Sequence, residues 1–155
     1  MGRINPQYAE EVKRVVNQCP YFRLLSMELR EFDVGTSLVE IDLQEKHMQP
    51  FGQVHGGVFA TIIDATTFWA VFAEIDEQSG MTSVDLKLNY LAPAAAPGQL
   101  IARGRRIRIG KTLGLGEAEV MDGEGRMLAH GTSTLMVMNG WSIAQEGALP
   151  PKFIE

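Results

Sequence analysis

The sequence predicts an α+β fold in which an antiparallel sheet of about six strands curls around one long hydrophobic helix. Residues 58–73 are apolar on nearly every side, and a helix of that composition must be enclosed by other elements. Residues 79–138 show strand-like alternation, and their connections are so short that neighbouring strands must run antiparallel. With 45% hydrophobic residues, the 155-residue chain can bury a substantial core, so we expect one domain over residues 1–155.

The N-terminal part is expected to form a helix followed by a hairpin. Asn5-Pro6 supply an N-cap and a proline at the first helical position, and valines then repeat on one face as far as Cys19-Pro20. Strands are predicted over residues 27–32 and 37–43, on either side of a turn at residues 33–35.

The rest of the chain is expected to contain the long helix, four strands and a tail. A polar loop over residues 44–54 precedes the helix, which is predicted to begin at Gly56 and to end near Glu74 to Asp76. The four strands are predicted over residues 82–90, 99–109, 112–121 and 126–138. Residues 139–155 show no sustained period, so we expect this C-terminal tail to be loosely held.

Composition and charge exclude several classes of protein. The single cysteine, Cys19, excludes an internal disulfide and fits a reducing cytoplasm, and no Cys/His cluster has the spacing of a zinc site. The first six residues lack the apolar core of a signal peptide, and residues 58–73 are shorter than the roughly 20 apolar residues of a membrane span. A net charge of −5 argues against general nucleic-acid binding. We therefore expect a cytoplasmic protein that binds neither membrane nor nucleic acid.

The strongest functional signal is the nine-residue step from His55 to Asp64, written HGGVFATIID. It puts one carboxylate inside the most apolar helical stretch, where residues 56–73 contain no Lys or Arg to pair with it. Burying such a group costs several kcal/mol unless it is paired, hydrogen-bonded or protonated. Asp64 is therefore a candidate nucleophile or general base. The structural alternative is a carboxylate that is satisfied by Thr61, Thr67 or the backbone.

Gly56 and Gly57 stand at the expected start of the same helix, where the first N–H groups have no internal partner and the helix dipole is positive. A carbonyl oxygen aimed there would be polarised as in an oxyanion hole. Seven residues of helix return Asp64 to within about 20° of the face of Gly57, but roughly 10 Å farther along the axis. That distance is too long for one helix to supply both groups to one carbonyl. Two copies with antiparallel central helices could do so, which predicts a symmetric dimer with two sites.

These residues and the strand that follows them resemble a known enzyme family. The pattern Gly52-x-x-His55-Gly56-Gly57, then Asp64, then Ser83-Val84-Asp85 and Tyr90-Leu91-x-Pro93, is similar to that of the hotdog-fold acyl-CoA thioesterases of the phenylacetate-degradation (PaaI-like) type. The similarity spans residues 24–138. It implies a helix wrapped by the sheet, chains paired through a continuous sheet into homodimers, and dimers of dimers that form a homotetramer.

The resemblance also implies roles for particular residues. Gly57 or Gly56 would supply the N–H that polarises the thioester carbonyl, and Asp64 of the facing subunit would attack it or activate water. Ser83 matches a strand residue that, in some members, helps to place the water or the acid. Its position on the polar side of the strand pattern leaves two possibilities: the strand bends there, or Ser83 lies on the surface.

The loop and the histidines are less sharply defined. Many family members carry asparagine six residues before the histidine, where Gln49 stands in this sequence. The Gln49 amide could hold a water or the carboxylate, and Gln53 is the other candidate for this role. We expect His55 chiefly to fix the loop, with a direct chemical role as the alternative. His130 is predicted to be structural, and His47 is expected to have no special role in its polar loop.

A cluster of basic residues lies in and just after the strand predicted at residues 99–109. Its members are Arg103, Arg105, Arg106, Arg108 and Lys111. A solvated strand face is one explanation. Binding of the phosphates of coenzyme A, by Arg106, Arg108 and Lys111, is the alternative. The pocket should be largely apolar. Its candidate lining residues on the helix are Phe59, Ile63, Phe68 and Trp69, although we expect each chiefly to pack in the core.

The motif and the resemblance together predict hydrolysis of an acyl-coenzyme A thioester to free acid and coenzyme A. Coenzyme A would enter as part of the substrate, and no metal or redox cofactor is expected. Two alternatives share the fold: a noncatalytic acyl-CoA-binding protein, and a dehydratase for 3-hydroxyacyl thioesters, which would need a histidine and an acid arranged for proton transfer. A structural or partner-binding subunit would show an occluded cleft instead.

Overall fold

The computed structural model describes residues 2–144 and 147–155, which form three α-helices, one 3-10 helix over Glu45–His47 and eight strands. The α-helices are α1 (Pro6–Gln18), α2 (Pro20–Leu25) and α3 (Gly56–Phe72). The strands are β1 (Arg3–Ile4), β2 (Met27–Asp33), β3 (Thr36–Asp42), β4 (Ser79–Tyr90), β5 (Gln99–Ile109), β6 (Leu113–Met121), β7 (Met127–Asn139) and β8 (Phe153–Ile154).

Six of the strands form one antiparallel sheet in the order β2-β3-β5-β6-β7-β4. One face of this sheet, its inner face, packs against α3, and every strand of the sheet contacts that helix. The predicted α+β architecture is therefore confirmed. The edges of the sheet are β2 and β4, so the strand that follows α3 has one unpaired side in the single chain. None of the described helices has both the length and the apolar run that crossing a bilayer requires.

Glycines on the inner face allow the sheet to approach α3 closely. A Cβ placed on Gly104 would lie 2.6 Å from the carbonyl oxygen of Thr66, and one on Gly131 would lie 2.9 Å from a methyl group of Ile63. Side chains at these positions would push the helix away from the strands. Thr66 and Thr67 are tolerated inside the apolar helix because each hydroxyl donates to a carbonyl one turn earlier.

A β-bulge in β4 decides which side chains face the helix. Ser83 pairs with Leu135, but Asp85 pairs with Thr134, so Val84 is an extra residue without a direct partner. The predicted alternation, which put Ser83 on the polar side of the strand, is wrong at this point, and Val84 is 52% exposed. Because of this extra residue, the alternation of side chains between the two faces changes phase at the bulge, and Ser83 faces α3.

The N-terminal part contains one helix that was not predicted. Asn5 caps α1 as expected, its side chain accepting from the Gln7 N–H at 3.0 Å. Pro20, which was expected only to stop this helix, also begins α2, because Cys19 is extended and proline is well suited to a first helical position. The long helix α3 ends at Phe72, slightly earlier than predicted.

The prediction of a loosely held C-terminal tail is wrong for its last residues. β8 pairs with β1, and Lys152 is fully buried, with Nζ donating to the carbonyl oxygens of Phe72 at 2.8 Å and Ile75 at 2.6 Å. The lysine thus caps the C-terminal end of α3. Burial lowers the pKa of Lys152 to about 8. Two residues of the predicted tail, Gln145 and Glu146, lie outside the described residues.

Candidate active site

The start of α3 leaves one backbone donor free. The His55 ring is the N-cap, and its Nδ1 accepts the Gly57 N–H at 2.8 Å. The Val58 N–H donates to the His55 carbonyl oxygen at 2.9 Å. Within the part of the chain that the structure describes, no acceptor contacts the Gly56 N–H. Of the two predicted oxyanion donors, Gly57 is therefore engaged by His55, and Gly56 is available.

His47 holds the loop that leads into this helix. It is fully buried, its Nδ1 accepts the Gln44 N–H at 2.9 Å, and its other ring nitrogen donates to the Leu25 carbonyl oxygen at 2.7 Å. Its own carbonyl oxygen accepts the His55 N–H at 2.9 Å. The expectation that His47 has no special role is thus wrong, because it ties the loop to α2 and to the N-cap. The polar sequence around it carried no signal of this burial.

Gln49 and Gln53 occupy different places in the loop. Gln49 closes a tight turn: its carbonyl oxygen accepts the Gly52 N–H at 2.9 Å, and its side-chain oxygen accepts the Phe51 N–H. That oxygen is thus engaged within its own turn. Gln53, in contrast, lines a cavity together with Gly56. The cavity that Gly56 lines is thus also lined by Gln53 and not by Gln49.

Asp64 lies half-buried in the middle of α3 and is hydrogen-bonded to the strand beside it. The Ser83 hydroxyl donates to Asp64 Oδ1 at 2.7 Å, so the β4 bulge resolves the two possibilities for Ser83 in favour of a bend toward the helix. The threonines do not satisfy the carboxylate: Thr61 pairs with the Tyr21 hydroxyl, and Thr67 donates to backbone carbonyls. Among the described residues, no protein group donates to Asp64 Oδ2.

Two separate cavities flank α3. The first, about 450 Å³, is lined by Gln53, Val54, Gly56, Phe59, Tyr90, Leu91, Ala92 and Pro93. The second, about 330 Å³, is lined by Tyr21, Phe22, Met27, Ala60, Thr61, Asp64, Ala65, Phe68, Trp69 and Leu86. Gly56 and Asp64 thus line different cavities, and eight helical residues place them about 12 Å apart along the axis. One chain presents two half-sites rather than one complete site.

The predicted apolar liners divide between these cavities. Phe59 lines the first, and Phe68 and Trp69 line the second. Ile63 is fully buried in the core and lines neither cavity. Three of the four helix residues therefore reach a cavity wall.

The basic cluster lies away from the two half-sites. Arg106 forms a 2.5 Å ion pair with Glu74, beyond the end of α3 opposite Gly56. Arg105 pairs with Glu117 on the outer face of the sheet, and His130 contacts the same carboxylate at 3.4 Å. The Arg105 contact suits the solvated-face explanation, whereas Arg106 pairs with a Glu74 side chain that is only 3% exposed. Arg108 and Lys111 have no ion pair within residues 2–144 and 147–155, and coenzyme A binding by them stays a prediction.

The described part of the chain contains no group of three His, Cys, Asp or Glu side chains placed to hold a metal ion.

The family follows from a match to the sequence itself. A sequence model of the thioesterase superfamily matches residues 51–129, about half of the chain. The chain belongs to the thioesterase superfamily. Among this thioesterase's relatives, acyl-coenzyme A thioesterase 13 of Mus musculus is 27% identical over 131 residues, which cover 83% of this chain and 93% of the relative.

Solved structures confirm the hotdog fold of this thioesterase. A thioesterase from Haemophilus influenzae superposes with a TM-score of 0.80 at 20% identity, covering 96% of this chain and 100% of that one. The PaaI protein of E. coli superposes with a TM-score of 0.77 at 15% identity, covering 84% of this chain and 93% of that one. The family resemblance predicted from the His-Gly-Gly motif is confirmed as well, and the chain is a thioester hydrolase.

Proposed function

We propose that this thioesterase hydrolyses an acyl-coenzyme A to free acid and coenzyme A. The observation that carries the proposal is the pair of half-sites on α3. The free Gly56 N–H lies in the first cavity, and Asp64, hydrogen-bonded to Ser83, lies in the second. The first is suited to stabilising an oxyanion, and the second to attack or base catalysis. The relative from Mus musculus, which is named as an acyl-coenzyme A thioesterase, supports the choice of substrate.

The proposed reaction uses Asp64 in one of two ways. As a nucleophile, the carboxylate attacks the thioester carbonyl, coenzyme A leaves as the thiolate, and water then hydrolyses the mixed anhydride. As a general base, it takes a proton from water, whose oxygen attacks the carbonyl directly, and the C–S bond then breaks as coenzyme A leaves as the thiolate. In both cases the carbonyl oxygen gains negative charge beside the Gly56 N–H and the positive end of α3. The Ser83 hydroxyl holds the carboxylate by donating to one oxygen, which leaves the other for the reaction.

The proposed site is completed by a second copy of the chain. Antiparallel packing of two α3 helices would bring the Gly56 of one chain to the Asp64 of the other. The unpaired edge of β4 supports this arrangement, since it carries the exposed apolar side chains of Val84, Leu86 and Tyr90. Pairing of two such edges would form a homodimer, and a dimer of dimers would form a homotetramer. A cytoplasmic location is part of the same proposal and rests on the single cysteine.

Release of free thiol from a panel of acyl-coenzyme A substrates tests the proposed function. The panel contains short, branched, long-chain and aryl acyl groups, with the free coenzyme A captured by a thiol reagent. We expect turnover that depends on the enzyme concentration for at least one member. Binding of the panel without turnover would contradict hydrolysis and would favour the noncatalytic acyl-CoA-binding alternative.

A further inference from the structure

His47, in the loop before α3, is fully buried, and both nitrogens of its ring are hydrogen-bonded. Nδ1 accepts the Gln44 N–H at 2.9 Å, and Nε2 donates to the Leu25 carbonyl oxygen at 2.7 Å. These partners fix the tautomer, because an N–H can only donate and a carbonyl oxygen can only accept. The ring is therefore held in one orientation between the loop and the end of α2. The proposed chemistry assigns no role to this residue.

The backbone of His47 is fixed by the same turn of chain. His47 is the last residue of the 3-10 helix, and its N–H donates to the Gln44 carbonyl oxygen at 3.0 Å. Gln44 and His47 thus exchange two hydrogen bonds, one through the His47 ring and one through its N–H. The group that this closed turn presents to the start of α3 is the His47 carbonyl oxygen, which accepts the His55 N–H at 2.9 Å.

The free Gly56 N–H belongs to the peptide unit between His55 and Gly56, so its place depends on how His55 is held. The His55 carbonyl oxygen accepts the Val58 N–H, and the His55 ring accepts the Gly57 N–H. Both of these contacts lie within the first turn of α3. The His55 N–H, in contrast, donates to His47 and so ties the residue to the protein outside the helix.

Such an anchor matters at the first residue of a helix. The first N–H groups of a helix lack intrahelical acceptors, and glycine has no side chain that could hold its own peptide groups. A donor that stabilises a developing oxyanion is most effective when it is oriented before the reaction, since no reorganisation is then required. His47 supplies a buried, doubly bonded support directly before this donor.

We propose that His47 is a positioning residue for thioester hydrolysis. Its ring keeps its carbonyl oxygen on the His55 N–H, and this contact keeps His55 and the following Gly56 N–H in place at the wall of the first cavity. The inference rests on the proposed function, because it assumes that the Gly56 N–H is the oxyanion donor. The opposing account is that His47 only stabilises the fold and has no effect on the reaction of the folded protein.

Two substitutions each remove one ring contact of His47. His47→Gln places an amide N–H near the position of Nε2 and can keep the bond to Leu25, but it loses the acceptor for the Gln44 N–H. His47→Asn places an oxygen near the position of Nδ1 and does the reverse. We expect kcat for thiol release to fall about tenfold in each, the effect of one lost hydrogen bond, with KM changed by less than about twofold. A wild-type kcat in either folded variant would overturn the inference.

Two controls separate positioning from lost stability and from the chemical change itself. Val12→Ala truncates a fully buried side chain of α1 that lines neither cavity beside α3, so it should lower the Tm but leave kcat unchanged. His130→Asn makes the same chemical change on the outer face of the sheet, where His130 contacts Glu117, and should also retain wild-type kcat. All rates are measured well below the lowest Tm of the set. A loss of kcat in Val12→Ala equal to that of the His47 variants would assign the effect to stability and contradict positioning.

The donor itself supplies the decisive comparison. Gly56→Pro removes the N–H that His47 is proposed to hold in place, so adding His47→Gln to it should lower kcat no further. An equal loss in both backgrounds would contradict positioning, because the histidine would then act independently of the donor. If Gly56→Pro itself keeps full activity, the proposed function, in which Gly56 is the donor, and the role of His47 fail together. If Gly56→Pro is strongly impaired and His47→Gln has wild-type kcat, the role of His47 alone fails.

Discussion

Asp64→Asn is expected to lower kcat by about 10²- to 10⁴-fold, the range typical of losing a group that transfers a proton in the rate-determining step. Asparagine has nearly the same shape as aspartate, and its side-chain oxygen can still accept the Ser83 hydroxyl at 2.7 Å. It can act neither as a general base nor as a nucleophile at neutral pH. The steady-state rate of thiol release from the best substrate of the panel measures the effect.

The matched control is Asp85→Asn on the other face of β4. Asp85 is exposed and pairs with Thr134, so the same chemical change is made two residues from Ser83 but away from α3. It should retain wild-type kcat. Full hydrolysis by Asp64→Asn would overturn the proposed mechanism, whichever of its two forms is considered.

Gly56→Pro is expected to lower kcat by about 10²- to 10³-fold, the cost of removing one oxyanion donor. Proline has no N–H, and it is tolerated at the first position of a helix, which Gly56 occupies in α3. The preceding residue, His55, has φ −62° and ψ 136°, the extended conformation that a following proline requires. The substitution therefore removes the proposed donor with little change to the helix. Single-turnover thiol release separates this chemical effect from substrate binding.

Gly56→Ala is the control for the added side chain. Its Cβ would meet the Tyr90 hydroxyl oxygen at the same 3.0 Å, but its backbone N–H remains. We expect it to keep much more activity than the proline variant. Equal activities of Gly56→Ala and Gly56→Pro would show that the N–H takes no part in the reaction.

The helix and its motif could be predicted because their signals are local. The apolar run of α3, the glycines at its start and the lone Asp64 all lie within one short segment of sequence. Helical geometry then places Gly57 and Asp64 too far apart for one site, and the structure separates the corresponding half-sites into two cavities. The strand alternation likewise predicted the six-stranded sheet.

Features that depend on distant contacts could not be predicted in this way. The direction of Ser83 depends on a bulge in the pairing of β4 with β7, which no alternation pattern in β4 alone reveals. His47 is buried only because α2 supplies the Leu25 carbonyl oxygen. Lys152 is buried only because the end of α3 supplies two carbonyl acceptors, from residues 80 and 77 positions earlier in the chain. The Gly57 N–H is engaged only because the His55 ring nitrogen accepts it, a side-chain contact that the sequence did not indicate.

The central claim is that each active site combines Gly56 of one chain with Asp64 of another, and mixing two inactive variants tests it most directly. Asp64→Asn chains and Gly56→Pro chains are mixed in equal amounts under conditions that exchange subunits, and thiol release is measured. A mixed dimer would contain one site with both groups intact, so about one quarter of wild-type activity should return. If mass spectrometry shows mixed dimers but thiol release stays at the sum of the two separate variants, the two-chain site is contradicted.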